Sequence, residues 1–309
     1  MPTYNAAKHL GAAIESVLAQ TFRDFAFVIV DDGSTDDTLE IVRRYAARDS
    51  RIVVHACEHR GISGTLNYAL GAASTEWVAI MHADDTMQPS RLERQLAFID
   101  ANPDIAVASS FVNYISGQGR KIGQFRSELT TRAAVAATLD RGHSIGFHHP
   151  AVIMRRSVAA AVGGYRDKMD GCEDLDLWTR IAREGHCVLV QPEFLLNYRI
   201  HEGSLSVRKH RMTTLLNEYV QFNLRRYKEG IPEVSLDEFF DILARMPFWQ
   251  RCMHERCLWG DHFFKRAAVN YANGRIAAFL GSMACAVLLR PGMTLAKVAA
   301  KFHWAGAIS

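Results

Sequence analysis

Residues 25–36 read FAFVIVDDGSTD. Phe25 to Val30 is an unbroken apolar run rich in aromatic and branched residues, the pattern of a strand covered on both faces. The chain then changes character within one residue, to Asp31-Asp32-Gly33-Ser34-Thr35-Asp36. Asp, Ser and Thr accept from the free N–H groups of a helix start, so Ser34 or Asp36 is expected to cap a helix from Thr38 to Ala47. Two adjacent aspartates exceed that need. They fall at the C-terminal end of a buried strand, where open α/β sheets bind their ligands.

The arrangement recurs. Trp77 to Met81 is a second apolar run, followed by His82-Ala83-Asp84-Asp85. Carboxylates on two neighbouring strand ends can hold a divalent cation against a phosphorylated nucleotide, because hard cations bind through oxygen. A third pair, Glu173-Asp174, opens a helical pattern whose apolar face includes Leu177 and Ile181. Acids at a helix start are favoured by its dipole alone, so this pair has a structural reading beside that of a general base.

Helix and strand patterns alternate around these marks. Leu10, Ile14, Val17 and Leu18 have helical spacing, Ile52 to His55 reads as a strand, and Ser63 to Ala72 as a helix. Pro89 precedes a helical run through Leu92, Leu96 and Ile99, and Ile105 to Ser109 is a further strand. This order predicts an α/β fold with a mainly parallel sheet. Met1 to Asn5 resembles the loop after a first strand, which is expected to be missing before residue 1. Beyond His201 strand patterns stop and helical periodicity takes over, so a first domain is expected over 1–204 and an α-helical region over 205–309.

With 309 residues, 49% apolar and 22% charged, the chain has ordinary globular composition. Its six cysteines include no C-x-x-C, which fits a reduced interior better than a disulfide framework. No secretory pattern opens it. Ile276 to Leu289, the longest apolar stretch, falls short of the roughly 20 residues that span a bilayer. A cytoplasmic protein is expected, at most resting on the inner face of the cell membrane. The net charge of +3 hides an asymmetry: residues 1–204 carry 21 Lys/Arg against 25 Asp/Glu, net −4, and residues 205–309 carry 15 against 8, net +7. The basic part suits an anionic membrane or a lipid pyrophosphate, with a solvated helical face as the alternative. Nucleic acid is not an expected partner.

Several motifs now stand in order: Pro2-Thr3-Tyr4-Asn5; SVLAQT over 16–21; VDDGSTD over 30–36; Ala83-Asp84-Asp85 with Pro89 and Arg91-Leu92-Glu93; His149-Pro150; Gly163-Gly164-Tyr165; EDLDLW over 173–178; and Tyr198-Arg199-Ile200-His201. Together they resemble glycosyltransferase family 2 over roughly the first two-thirds of the chain. The resemblance implies a GT-A, Rossmann-like fold and inverting transfer of a sugar from a nucleotide donor.

It also implies roles. Pro2, Tyr4, Asp31, Asp32 and Asp85 would bind the nucleotide, Asp32 accepting from the imide N–H of uracil and Asp31 supporting the ribose. A carboxylate only accepts, which suits an imide and not the acceptor N3 of cytosine; UDP is therefore expected, though thymine presents the same edge. Asp84 and His201 would hold Mn2+ or Mg2+ on the diphosphate. His82 departs from the family's Asp-x-Asp pattern, and histidine binds Mn2+ better than Mg2+. Asp174 would be the catalytic base. Contacts with acceptor or donor sugar fall to His82, His149, Glu173 and Trp178. The Gln-x-x-Arg-Trp mark of processive members is absent, which implies one sugar per visit to a glycan or lipid-linked acceptor, as in bacterial surface-polysaccharide assembly.

Two other classes compete. A sugar nucleotidyltransferase would also use acidic metal ligands, but the chain opens with no Gly-rich, basic triphosphate loop. A silent binding homologue would explain His82, but leaves Asp174 and His201 without a reason. Farther along, Cys252, His254, Cys257 and His262 are irregularly spaced for zinc and read as helix packing. Phe248, Trp249, Leu258, Trp259, Phe263 and Phe264 are expected mostly in a helical core, with a basic edge toward a membrane.

Overall fold

The computed structural model describes residues 1–201 and 209–306. The chain forms two compact units, Met1–Arg199 with Val220–Arg225, and Ile200–Tyr219 with Arg226–Ser309.

The first unit begins with β1 (Pro2–Thr3), α1 (Ala7–Leu18), β2 (Phe27–Asp31), α2 (Thr38–Ala46), β3 (Ile52–Ala56) and α3 (Gly61–Ala72). β1, β2 and β3 are parallel neighbours in that order, with Thr3 opposite Asp31 and Asp31 opposite Ala56. Residues expected to form a loop are thus a strand. The Met1 amino group donates to Val28 O at 2.7 Å, and the Asp32 N–H donates to Thr3 O at 2.9 Å. Two residues carry no period to read, which is why the sequence pattern misses β1.

Next come β4 (Trp77–Ala79), β5 (Thr86–Met87), α4 (Arg91–Asp100), β6 (Ile105–Ser116), β7 (Lys121–Phe125), α5 (Arg132–Asp140), β8 (Ile153–Arg155), α6 (Arg156–Ala161), α7 (Glu173–Arg183) and β9 (Cys187–Ile200). The second sheet runs β4-β8-β6-β9-β5, with β7 on β6. Its β4–β8, β6–β8, β6–β7 and β5–β9 ladders are antiparallel. The α/β architecture holds, but the parallel pairing lies in the first three strands. There each strand feeds a crossover helix, as parallel neighbours require, whereas β6 turns back into β7 through a tight turn in which Gly119 N–H donates to Ser116 O.

Two apolar clusters anchor these layers. One packs Ile105, Val107 and Met154 of the second sheet against Leu177 and Trp178 of α7. The other joins Leu10, Ile14 and Ile29 to Met81, Met87 and Leu196, so one core clamps the end of β2 beside the loop after β4. Each such side chain contributes about 1.5–3 kcal/mol on burial.

The second unit is helical: α8 (His210–Lys228, part of which lies in the first unit), α9 (Leu236–Ala244), α10 (Phe248–Ala272), α11 (Ile276–Leu289) and α12 (Pro291–Gly306). Ser235 and Glu238 form a capping box on α9. Of the six apolar residues expected mostly in a core, Leu258 is buried, Phe263 and Phe264 are half-buried, and Phe248, Trp249 and Trp259 are exposed. In helix α10 the buried positions are mostly small or aliphatic (Leu258, Gly260, Ala267, Val269, Asn270 and Ala272), and none of its aromatic residues is fully buried. Among the described residues, no helix is long and apolar enough to cross a membrane.

Candidate active site

The C-terminal end of β2 presents both aspartates, buried and already engaged. Asp31 accepts from Ser34 N–H at 3.1 Å, the Ser34 hydroxyl at 2.6 Å and the Thr3 hydroxyl at 3.3 Å, tying the turn to β1. Asp36, one residue before the N-cap Asp37, accepts from Thr38 N–H at 3.0 Å, so neither Ser34 nor Asp36 occupies the N-cap position itself. Asp32 reaches across to the start of α3, where its Oδ1 accepts from Arg60 N–H at 2.8 Å and its Oδ2 from Gly61 N–H at 3.1 Å. His59 Nδ1 lies 2.9 Å from the same Oδ2. A carboxylate offers about four lone-pair positions, so Oδ1 keeps one for a further donor. Beside it, the half-exposed Tyr4 ring stands 4.5 Å from the His59 ring at a 30° tilt, an aromatic face next to a free acceptor. Pro2 is fixed within β1 opposite Val30.

The loop after β4 brings His82, Asp84 and Asp85 together, their ligand atoms all within 4.8 Å of one another, the one such grouping among the described residues. Arg199 holds this loop: its N–H donates to Asp85 Oδ1 at 2.7 Å and its Nε to Asp84 O at 2.7 Å. Asp85 Oδ2 is buried without a hydrogen-bond partner, and burial together with the neighbouring Asp84 charge pushes the Asp85 carboxyl well above the usual range. An orphaned buried carboxylate oxygen beside a second carboxylate and an imidazole fits a divalent cation, which would satisfy that oxygen.

His82 faces inward. Its Nε2 is 3.1 Å from His149 Nδ1, and His149 Nε2 is 2.8 Å from the Tyr165 hydroxyl. Burial pushes both imidazoles down, His149 well below the usual range, which favours the neutral form of each ring. Tyr165 is pushed well above its usual value by burial and by the charges of Asp174 and Glu173. The row of three side chains thus leads from the acidic loop toward the acidic pair.

At the start of α7, Asp174 Oδ1 accepts from Leu175 N–H at 2.7 Å, and Gly171 N–H donates to Glu173 Oε2. Burial pushes Asp174 up to about 6; burial and the Asp174 charge push Glu173 up to about 8. Both shifts favour the protonated forms, so the pair is expected to share a proton near neutral pH, with Asp174 the more acidic member. Asp176 instead pairs with the buried Arg180 at 2.8 Å, a structural contact.

Other expected residues fall elsewhere. Trp178 is fully buried, 5.6 Å from the Phe147 ring and 5.8 Å from that of His149, so it lies under the site as packing. His201 follows β9 in the second unit. Two positioning residues escape sequence reading. Arg199 stood only inside a motif, and Asn67 carried no signal. Asn67 Nδ2 donates to Tyr165 O at 2.7 Å and Tyr165 N–H donates to Asn67 Oδ1 at 2.9 Å, fixing the Gly163-Gly164-Tyr165 turn.

The profile described as Glycosyl transferase family 2 matches residues 1–163. The chain is 31% identical over 203 residues to the uncharacterized glycosyltransferase MJ1057 of Methanocaldococcus jannaschii, covering 65% of this chain and 69% of that protein. It is 29% identical over 211 residues to the O-antigen biosynthesis glycosyltransferase WbnJ of Escherichia coli, covering 66% and 79%. S. aureus TarS 1-349 in complex with UDP-GlcNAc superposes with a TM-score of 0.57 at 19% identity, over 94% of this chain and 90% of that one. The mannosyltransferase PcManGT from Pyrobaculum calidifontis, in complex with GDP-Man and Mn2+, gives 0.57 at 19%, over 98% and 78%. The fold is GT-A.

Proposed function

The chain belongs to glycosyltransferase family 2, and from that premise we propose that it moves a single sugar from a nucleotide-sugar donor to a hydroxyl of a glycan or lipid-linked acceptor, with inversion. The observation that carries this reading is the buried Glu173-Asp174 pair near Tyr165, from which hydrogen-bonding contacts through His149 and His82 lead to the acidic loop. An acid–base pair and a cation-competent cluster are what a glycosyl displacement needs at its two ends.

In this reading Asp174 takes the proton of the acceptor hydroxyl. The oxygen forms its bond to the anomeric carbon as the bond to the diphosphate breaks on the opposite face, and the diphosphate leaves with the electron pair. No covalent enzyme intermediate forms. Glu173, protonated, adds no second negative charge beside the base. Asp84, with Asp85 and His82, would hold Mn2+ or Mg2+, which when bound stabilises the charge of the leaving diphosphate. The open face of Tyr4, whose ring packs on His59, would lie beside the nucleobase, and the open lone pair of Asp32 Oδ1 would accept its N–H. That geometry favours uracil. Guanine also offers N–H donors on its pairing edge, and the GDP-Man complex of PcManGT makes GDP the second reading.

The name of the E. coli relative supports a role in bacterial surface-polysaccharide assembly. The region 1–204 would be the catalytic domain, working at the cytoplasmic side, with the basic helices of 205–309 turned toward an anionic membrane that carries the acceptor.

The test is turnover of UDP-, GDP- and dTDP-sugars with Mn2+, wild type beside Asp174→Asn. Nucleoside diphosphate release from one donor, abolished in a variant that still binds the nucleotide, is the expected result. Nucleotide binding without release, across donors and acceptors, would favour a silent homologue.

A further inference from the structure

The second unit contains a helix that water does not suit. Helix α11 reads IAAFLGSMACAVLL, without one charged residue, and only Ala286 in it is buried. Its inward side is set by contacts: the Phe279 ring lies 5.5 Å from Tyr271, and Asn270 Nδ2 donates to Ser282 Oγ at 3.3 Å. Ile276, Leu280 and Leu288 are 55%, 59% and 78% exposed, and Ala284 and Val287 are exposed with them. At 100° per residue these five fall on one stripe, roughly opposite Phe279, Ser282 and Ala286. The outer face is therefore as apolar as the inner one.

The helix is too short to span. Its 14 residues rise about 21 Å, against a hydrocarbon layer of about 30 Å. An apolar helix of this length can lie in the plane of a bilayer surface. Charge separates the two occupants the stripe could have. No Asp or Glu follows Asp261, whereas Lys265, Arg266, Arg275, Arg290, Lys297 and Lys301 do. Arg275 and Arg290 bracket the helix directly. Asp261, the last acid, is already bound by Arg290 at 2.5 Å and Lys297 at 3.1 Å. A second copy docking on this stripe would bring like-charged flanks together with no acid from this region to offset them. Anionic headgroups match both features.

We propose that α11 is a membrane anchor lying flat at the headgroup–acyl boundary of an anionic bilayer, with Ile276, Leu280, Ala284, Val287 and Leu288 in the apolar layer. The proposal deepens the lipid-linked reading above, and rests on it only for its purpose: the binding itself needs no donor or acceptor.

The experiment is cosedimentation of the full chain with vesicles of phosphatidylcholine, alone or mixed with phosphatidylglycerol, without substrates. Wild type should bind the mixed vesicles at least ~10-fold more tightly and lose that margin at high salt. Leu280→Asp with Leu288→Asp should lower binding ~100-fold, with circular-dichroism melting unchanged. Leu280→Ala with Leu288→Ala, which adds no charge, should lower it less and covers the case in which the aspartates unfold the helix. Equal binding by wild type and the aspartate variant would overturn the proposal. So would absence of wild-type binding to anionic vesicles, or sedimentation velocity showing a dimer that the variants dissociate while vesicles stay unbound. Donor turnover, measured separately, tests the transferase reading, so either can fail alone.

Discussion

His82 Nε2 lies 3.1 Å from His149 Nδ1, which leaves Nδ1 of His82 as the nitrogen it can offer the acidic loop. His149 is held in turn by the Tyr165 hydroxyl at 2.8 Å. A histidine whose far nitrogen is fixed in this way is oriented for a cation, and a nitrogen donor favours Mn2+ over Mg2+. With nucleotide present, wild type should bind Mn2+ at least ~10-fold more tightly than Mg2+. His82→Asp should narrow that ratio, and His149→Ala should weaken Mn2+ by ~10- to 100-fold. Titration followed by the Mn2+ paramagnetic resonance signal measures both. A ratio unchanged by His82→Asp would place His82 outside the cation's reach.

Asp174 sets a pH dependence. Burial raises its carboxyl to about 6, so the protonated form persists to a higher pH than for an ordinary aspartate. A base works only when deprotonated. The value of kcat/KM should therefore fall about tenfold per pH unit below pH ~6 and level off above it. Glu173, raised to about 8, ionises next and puts a second negative charge beside the base, so a decline is expected on the alkaline side. Both limbs belong to the pair as a unit. In Glu173→Gln the alkaline limb should vanish and the acid limb should stay in place, because Glu173 is already neutral where Asp174 titrates and burial alone raises Asp174.

How far the sequence carried depends on which signals are local. Asp31-Asp32 and Asp84-Asp85 were legible because an apolar run ends on paired carboxylates, and Glu173-Asp174 because helical spacing starts there. Strand direction was not legible: Ile105 to Ser116 is buried on both faces, and that pattern is the same whether its neighbours run with it or against it. Pro2–Thr3 was too short to show a period. Asn67 acts through a residue 98 positions away, which no local pattern encodes. Trp249 and Trp259 looked like core because composition reports apolar material without saying which faces of α10 are covered.

Gly164 should be sensitive to the smallest side chain. Its φ is +65°, and a Cβ there would stand 2.6 Å from Asn67 Oδ1, the atom that accepts from Tyr165 N–H. Gly164→Ala should cost about 2–3 kcal/mol in urea unfolding, from left-handed backbone strain and a displaced hydrogen bond. Gly163 has φ +87° but nothing within 4 Å of its added Cβ, so Gly163→Ala should show only the strain, about 1 kcal/mol. Equal losses in the two variants would mean that Asn67 yields freely and does not fix the turn.

Arg199 connects the end of β9 to the acidic loop by a fork. Its Nε donates to Asp84 O at 2.7 Å, and its Nη1 to Ser116 O at 3.2 Å and Gly117 O at 3.3 Å, so one guanidinium holds two loops at once. Lysine keeps the charge but cannot reproduce that planar geometry. The Arg199 N–H that donates to Asp85 Oδ1 survives every substitution except proline, because it is main chain. Arg199→Lys should therefore leave Asp85 tethered while removing the fork's hold on the Asp84 carbonyl. Mn2+ affinity in the presence of nucleotide should fall about tenfold, whereas nucleotide affinity without metal, which the proposal places on Asp32 and Tyr4, should stay close to wild type. Calorimetric titrations with and without Mn2+ separate the two. A matching loss in both would show that Arg199 supports the whole end of the sheet and not the acidic loop in particular.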